Sequence, residues 1–254
     1  MFRRPTYKAF IGLLDNYSAE TGVEEVVTNE ERAEVKQFLK AVMETKPLQY
    51  CHKYLCAKQS DIPSDRAGFV QLLHKIWFEL YRREESRDSS GFEHVFVGEI
   101  KVGSLITDME FVCAPCCAVH SDVASSLLVA RQNGKVSGFH NWIRFYLEEK
   151  AGNVDYRGYI KPRGSNEART NNDDQLLTIQ FTWNGVEKSV GSSFIGVSPE
   201  FEFALYTLCF LAGDEENEFT LDTGNDTFEV VVKCFKIARG KIGTAFPEIK
   251  SHYD

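Results

Sequence analysis

Residues 176–190 read LLTIQFTWNGVEKSV, and this stretch decides the fold. Leu177, Ile179, Phe181 and Trp183 alternate with Thr178, Gln180 and Thr182, the two-residue period of a strand with one buried face. Asn184-Gly185 supplies the residues best suited to positive φ in a tight hairpin turn, after which Val186, Lys188 and Val190 resume the alternation. The spacing predicts a β-hairpin with Lys188 held close to a rigid turn.

Outward from the hairpin the period changes. Residues 141–150 (NWIRFYLEEK) repeat at helical spacing and meet Gly152 as a stop, whereas residues 94–100 (HVFVGEI) alternate apolar and β-branched residues and are predicted as a strand. Downstream, Ser198 and Pro199 suit the N-cap and first position of a helix running towards Gly213, and residues 228–237 are strand-like. In the first third, Thr28 and Glu31 form a capping-box pattern ahead of Val35, Phe38, Leu39, Val42 and Met43. Phe69, Leu72, Leu73, Ile76, Trp77 and Leu80 mark a second amphipathic helix. Helices first and sheets later predict an α+β fold.

The composition limits the functions open to such a chain. With 254 residues and 43% hydrophobic content it can bury a core. No uncharged run approaches the ~18 to 20 apolar residues of a membrane span, and the opening MFRRPTYKAFIGLL lacks the small-residue cleavage site of a leader. Seven cysteines, an odd count, fit the reduced thiols of a cytoplasmic or nuclear protein. The net charge of −8 argues against a polyanionic partner only on average. No lysine or arginine occurs between Ser189 and Val232, while residues 131–170 carry eight bases and four acids. A basic face on an acidic protein is compatible with that distribution.

Six histidines are the groups that titrate near neutral pH. His52 and His74 sit in helical or core-edge settings, His120 in an irregular stretch and His252 in the tail. His94 and His140 differ, because each lies in a glycine-flanked, aromatic run: Ser90-Gly91-Phe92-Glu93-His94 and Ser137-Gly138-Phe139-His140-Asn141-Trp142. Two imidazoles with pKa ~6.5 can act as base and acid around one phosphodiester, and a lysine can stabilise the charge that develops on phosphorus. A serine hydrolase is not supported, since Gly191-Ser192-Ser193 does not complete G-x-S-x-G.

Four ordered blocks carry a resemblance: SGFEHVFVGEIK (90–101), GKVSGFHNWIRFYLEEKAGNVDYRGYI (134–160), LLTIQFTWNGVEKSVGSSFIGVSPEFEFALYTLCF (176–210) and KIGTAFP (241–247). Together they resemble the EndoU (XendoU-like) poly(U)-specific endoribonucleases. The resemblance implies one catalytic domain over residues 1–254, mainly helical over 1–90 and mixed over 91–254. It implies cleavage of single-stranded RNA after uridylates, with the substrate's 2′-hydroxyl as nucleophile and a 2′,3′-cyclic phosphate as product. By the same resemblance His140 is the general base, His94 the general acid and Lys188 the electrostatic stabiliser. Ser192 would then hydrogen-bond the uracil edge, and Thr244 and Phe246 would face the base, Phe246 as a stacking surface. Glu93 and Glu99 fall on carboxylate positions needed for activity, Mn²⁺ is the implied cofactor with no ligand assigned, and a monomer is the implied state. In a regular strand Glu93 and Glu99 would share one face and His94 the other, so both acids could orient His94 only across a bulge.

One departure stands out. His94 and His140 are 46 residues apart, further than the family spacing, which is nearly restored by removing residues 102–130. That segment is expected to be an excursion from a hairpin. Its Cys113, Cys116, Cys117 and His120 lack the distant second ligand pair of a structural zinc site and are expected to be ordinary thiols. The alternative reading is a non-catalytic RNA-binding protein, in which the insertion has parted the two histidines.

Overall fold

The computed structural model describes residues 1–102, 134–160, 175–222, 227–237 and 240–249. The expected insertion and its cysteines lie almost wholly outside the described residues. Four helices open the chain: α1 (Pro5–Ile11), α2 (Asn29–Met43), α3 (Lys46–Lys58) and α4 (Arg66–Trp77). A π-helical turn (Glu93–Val97) leads into β1 (Glu99–Lys101). Then follow β2 (Lys135–Ser137), α5 (Trp142–Ala151), β3 (Val154–Tyr159), β4 (Leu176–Trp183), β5 (Val186–Phe194), α6 (Pro199–Ala212), β6 (Glu216–Asp222), β7 (Thr227–Ile237) and β8 (Lys241–Ile249). The strands form three small antiparallel sheets, β1-β2, β3-β4-β5 and β6-β7-β8, so the α+β expectation holds.

Local chemistry explains most boundaries. Thr28 caps α2 by accepting from the Glu31 N–H while the Glu31 carboxylate accepts from the Thr28 N–H, the reciprocal box read in the sequence. Asn141 caps α5 through two backbone N–H groups, and the helix ends just before Gly152. α6 begins with Pro199, as expected, although the Ser198 side chain makes no capping bond. It is buried on most of its circumference, with Phe203, Tyr206 and Phe210 among its enclosed residues, and α3 packs along it. This is the central helix of the larger of two hydrophobic cores.

The smaller core holds Phe139, Val154, Phe181, Trp183 and Val186 beneath the β3-β4-β5 sheet. Asn184 and Gly185 take φ of 50° and 79°, the left-handed pair that closes the expected hairpin. A bulge in β5 lies between the pairs Ile179↔Gly191 and Phe181↔Lys188, where three residue steps on β5 face two on β4. The extra residue changes the alternation midway. Val186 and Lys188 therefore turn to the smaller core's side, while Phe194, also even-numbered, enters the larger core.

The strand expected over residues 94–100 is corrected. All five residues of Glu93–Val97 are buried in a helical turn closed by the Gly98 N–H donating to the Glu93 carbonyl at 2.8 Å, and only Glu99–Lys101 is extended. Ser90 starts the turn: its Oγ accepts from the Glu93 N–H and the Glu93 carboxylate accepts from the Ser90 N–H, each at 3.1 Å. That is a second capping box, S-x-x-E, inside a run whose β-branched residues imitate a strand. Lys101 pairs with Lys135, so the two ends of the stretch between them lie side by side.

Candidate active site

The 45 residues between His94 and His140 do not part them. The Phe139 N–H donates to the His94 carbonyl at 3.0 Å, and the His140 N–H donates to the Val95 carbonyl at 2.8 Å. The segment of residues 138–140 is thus clipped to the π-turn by backbone bonds. Gly138 makes the clip possible: its φ is +63°, and a Cβ there would stand 1.8 Å from the His94 carbonyl oxygen. Phe139 inserts into the smaller core while Val95, Phe96 and Val97 enter the larger, so the histidines lie at the seam.

Each histidine has a different partner. His94 Nδ1–H donates to Glu99 Oε2 at 2.7 Å, whereas His140 Nδ1–H donates to the Ser192 backbone carbonyl at 3.0 Å. A carbonyl only accepts, so His140 carries its proton on Nδ1 and, when neutral, presents a bare Nε2. Burial, then the Lys188 charge, pushes His140 well below the ordinary imidazole range and keeps it neutral. Burial also lowers His94, but Glu99 opposes that shift through both a hydrogen bond and charge. A carboxylate partner favours an imidazolium; a carbonyl partner does much less.

Glu99 is itself fully enclosed. Burial raises its pKa, yet the His94 bond and charge, with Arg83 and the Ser89 hydroxyl, outweigh burial and hold it below the usual carboxylate range. Arg83 Nε lies 3.3 Å from Glu99 Oε2, and its guanidinium also donates to the Tyr81 hydroxyl and to the Gly243 carbonyl. The loop bearing Arg83 is shaped by Asp88, whose carboxylate accepts the N–H groups of Gly22, Arg83, Glu84 and Glu85. Glu93, by contrast, does not touch His94. Burial and then the Glu99 charge drive it well above the carboxylate range, and its bond to Ser90 makes it a cap.

Lys188 donates from Nζ to the Gly138 carbonyl at 2.6 Å. Burial, then the charge of Lys135, lowers it to about 8, which leaves it mostly charged at neutral pH. Ser192 is buried, and its hydroxyl shares a 3.0 Å hydrogen bond with Thr178 across the sheet. Phe246 stacks on the His140 ring, centroids 4.7 Å apart and planes at 18°, while remaining half-exposed. Thr244 lies two residues back on β8 and is likewise half-exposed. His52 and His74 stand apart, His52 against Phe69 and the Pro63 carbonyl, His74 beside Phe78.

Sequence reading missed several contributors. Arg83 lies in a polar run, residues 82–90, with no motif to single it out; the Ser192 carbonyl and Gly138 carbonyl are backbone groups with no residue signature, and Thr178 lies on the polar face of β4. Asn141 is a further omission: besides capping α5 it donates from Nδ2 to the buried Glu202 at 2.8 Å, anchoring the residue next to His140 to the central helix. The S-x-x-E pattern at Ser90 was the one overlooked signal.

The described residues do not fit a resident Mn²⁺. Among the described residues no group of three or more His, Cys, Asp or Glu side chains could hold a metal ion. Glu99 is occupied by His94, Arg83 and Ser89, and Glu93 by Ser90. Nor, among the described residues, is any helix long and apolar enough to cross a membrane.

The chain is similar to known proteins along nearly its whole length. The profile described as Endoribonuclease XendoU matches residues 1–110 and 127–247, its interruption falling within the expected insertion. The chain is 41% identical to uridylate-specific endoribonuclease B of Danio rerio, over 97% of this chain and 76% of that protein. It is 43% identical to poly(U)-specific endoribonuclease-A of Xenopus laevis, over 98% and 74%. A solved structure of XendoU, described as a splicing-independent snoRNA processing endoribonuclease, superposes with a TM-score of 0.71 at 42% identity, covering 98% of this chain and 80% of that one. On this match the chain belongs to the XendoU endoribonuclease family.

Proposed function

We propose that this protein is an endoribonuclease that cuts single-stranded RNA at uridylates by transesterification. The observation that carries the reading is the unequal pairing of the histidines, a carbonyl behind His140 and a carboxylate behind His94. His140 Nε2 takes the proton of the 2′-hydroxyl, and the new 2′-O–P bond forms as the P–O5′ bond breaks. His94 gives its proton to the departing 5′-oxygen, so the cut leaves a 2′,3′-cyclic phosphate and a free 5′-hydroxyl. The anionic phosphodiester, entering beside His94, favours the protonated imidazole that this step needs. Lys188 stabilises the charge that develops on the phosphorane oxygens.

The test uses an RNA oligonucleotide with one uridine, with and without Mn²⁺, and reads fragment ends by mass. Cleavage is expected to give the cyclic phosphate and to cease when that uridine carries a 2′-deoxy sugar, because the nucleophile belongs to the substrate. Efficient cutting of the deoxy-substituted RNA would sink the mechanism.

Uracil selection is assigned to the Ser192 hydroxyl and Thr244, with Phe246 as the stacking surface. Stacking contributes about 1–3 kcal/mol per base but tolerates any base, so discrimination rests on hydrogen bonds. Ser192→Ala keeps the backbone carbonyl that holds His140. The variant is therefore expected to narrow the uridine-to-cytidine ratio in competition cleavage more than it lowers RNA affinity, and an unchanged ratio would remove Ser192 from base reading.

A further inference from the structure

A second electropositive feature lies outside the catalytic cluster. α3 carries Lys46, Lys53 and Lys58 but no acid, and no Asp or Glu occurs between Glu44 and Asp61, on a chain of net charge −8. Tyr50 and Tyr54, one turn apart on that helix, are 68% and 49% exposed. Residues i and i+4 of a helix are neighbours, so the two rings share one exposed strip of α3. Lys58 Nζ stands 5.7 Å from the centroid of the Tyr54 ring.

On the neighbouring face of α3, which Lys53 shares at three residues' spacing from Tyr50, a cavity of about 410 Å³ opens, with Gln49, His52, Lys53, Ser64 and Arg66 as its polar lining and no carboxylate among its lining residues. His52 is a fixed wall, stacked on Phe69 at 4.0 Å and bonded to the Pro63 carbonyl. Arg66 is paired with Glu44, but both side chains are more than half exposed or nearly so, and such a pair holds weakly against a competing anion. Lys53 makes no ion pair or hydrogen bond among the described residues. The cavity thus offers an unpaired ammonium and an exchangeable guanidinium, the donors that take phosphate, with two aromatic faces next to them.

We propose that α3 and this cavity form a second binding site for single-stranded RNA, with a backbone phosphate on Lys53 and Arg66 and flanking bases on Tyr50 and Tyr54. The site shares no residue with the catalytic cluster, and it rests on the proposed function only for the choice of RNA as the polyanion. Exposed rings that stack bases together with lysines that meet phosphates are the combination single strands require, whereas an acidic peptide would leave the rings unused.

The test measures anisotropy of labelled, non-cleavable 2′-deoxyuridine-containing RNAs of about 4 and about 16 nucleotides against the full chain. Lys53→Glu combined with Arg66→Glu is expected to weaken binding of the longer RNA by at least ~10-fold and to flatten its salt dependence by ~1–2 in log–log slope. Tyr50→Ala with Tyr54→Ala is expected to weaken it at unchanged slope. Cleavage of the short all-ribose RNA should stay at the wild-type rate in both variants, which shows that they fold. Unaltered binding of the longer RNA in both variants would overturn the site, as would loss of binding to anionic phospholipid vesicles without loss of RNA binding. Failure of the wild-type chain to cleave the all-ribose RNA would instead overturn the catalytic reading, because the second site is scored by binding alone.

Discussion

Alanine at His94 or at His140 is expected to lower the cleavage rate of a single-uridine RNA by about 10²–10⁴-fold, the scale of losing a positioned acid or base. Lys188→Ala is expected to lower it by about 10²–10³-fold, the scale of losing a donor to a developing oxyanion. Single-turnover kinetics on purified, folded variants measure both. The histidine effects should not add: once either proton transfer is lost, the concerted exchange at phosphorus fails, and the double variant should be little worse than the poorer single one. Near wild-type rates in any single variant would strike that residue from the site. His94→Ala also leaves the buried Glu99 without its imidazole partner, so its thermal stability should be compared alongside.

Gly138→Ala is expected to be as damaging without touching a reacting group. The residue sits at φ +63°, where an L side chain costs roughly 1–2 kcal/mol, and the added methyl would overlap the His94 carbonyl oxygen. Relief demands that residues 138–140 back away from the π-turn, which breaks the bonds of Phe139 and His140 to His94 and Val95 and moves the carbonyl that Lys188 grips. A shift on the order of 1 Å between paired catalytic groups costs about 10²-fold, so a loss of at least that size is expected. Circular dichroism should show a fold retained at reduced melting temperature. Wild-type turnover in Gly138→Ala would mean that the close approach does not set the geometry.

How far the sequence foretold this site depended on whether a residue's neighbours in the chain were also its neighbours in space. The box at Thr28 and the Asn184-Gly185 turn are local, and each was legible. The π-turn was not, because Val95, Phe96 and Val97 are buried on every side and a helix without a polar face leaves an apolar run that reads equally as strand. α3 escaped for the opposite reason: only Leu48, Cys51 and Leu55 form its inner stripe, too few for a clear period. The two histidines stood out by their glycine-flanked aromatic runs, while the role of each, together with Lys188 and the two glutamates, came from the family blocks. The groups that distinguish the two rings were not legible, since the Ser192 carbonyl and Arg83 reach them only through tertiary folding.

The pairing of Lys101 with Lys135 has an evolutionary consequence. Because β1 and β2 close on each other and Gly138 locks against the π-turn, the reacting geometry is settled on the near side of that pair, and the number of residues beyond it exerts no leverage on the histidines. Doubling the length of such a connection costs only about 0.6 kcal/mol in closure entropy. Insertions and deletions there are therefore expected to leave the cleavage rate near its original value. The stretch is accordingly a place where descendants of one enzyme can acquire a new sequence, and eventually a new role, while the chemistry two strands away stays as it was inherited.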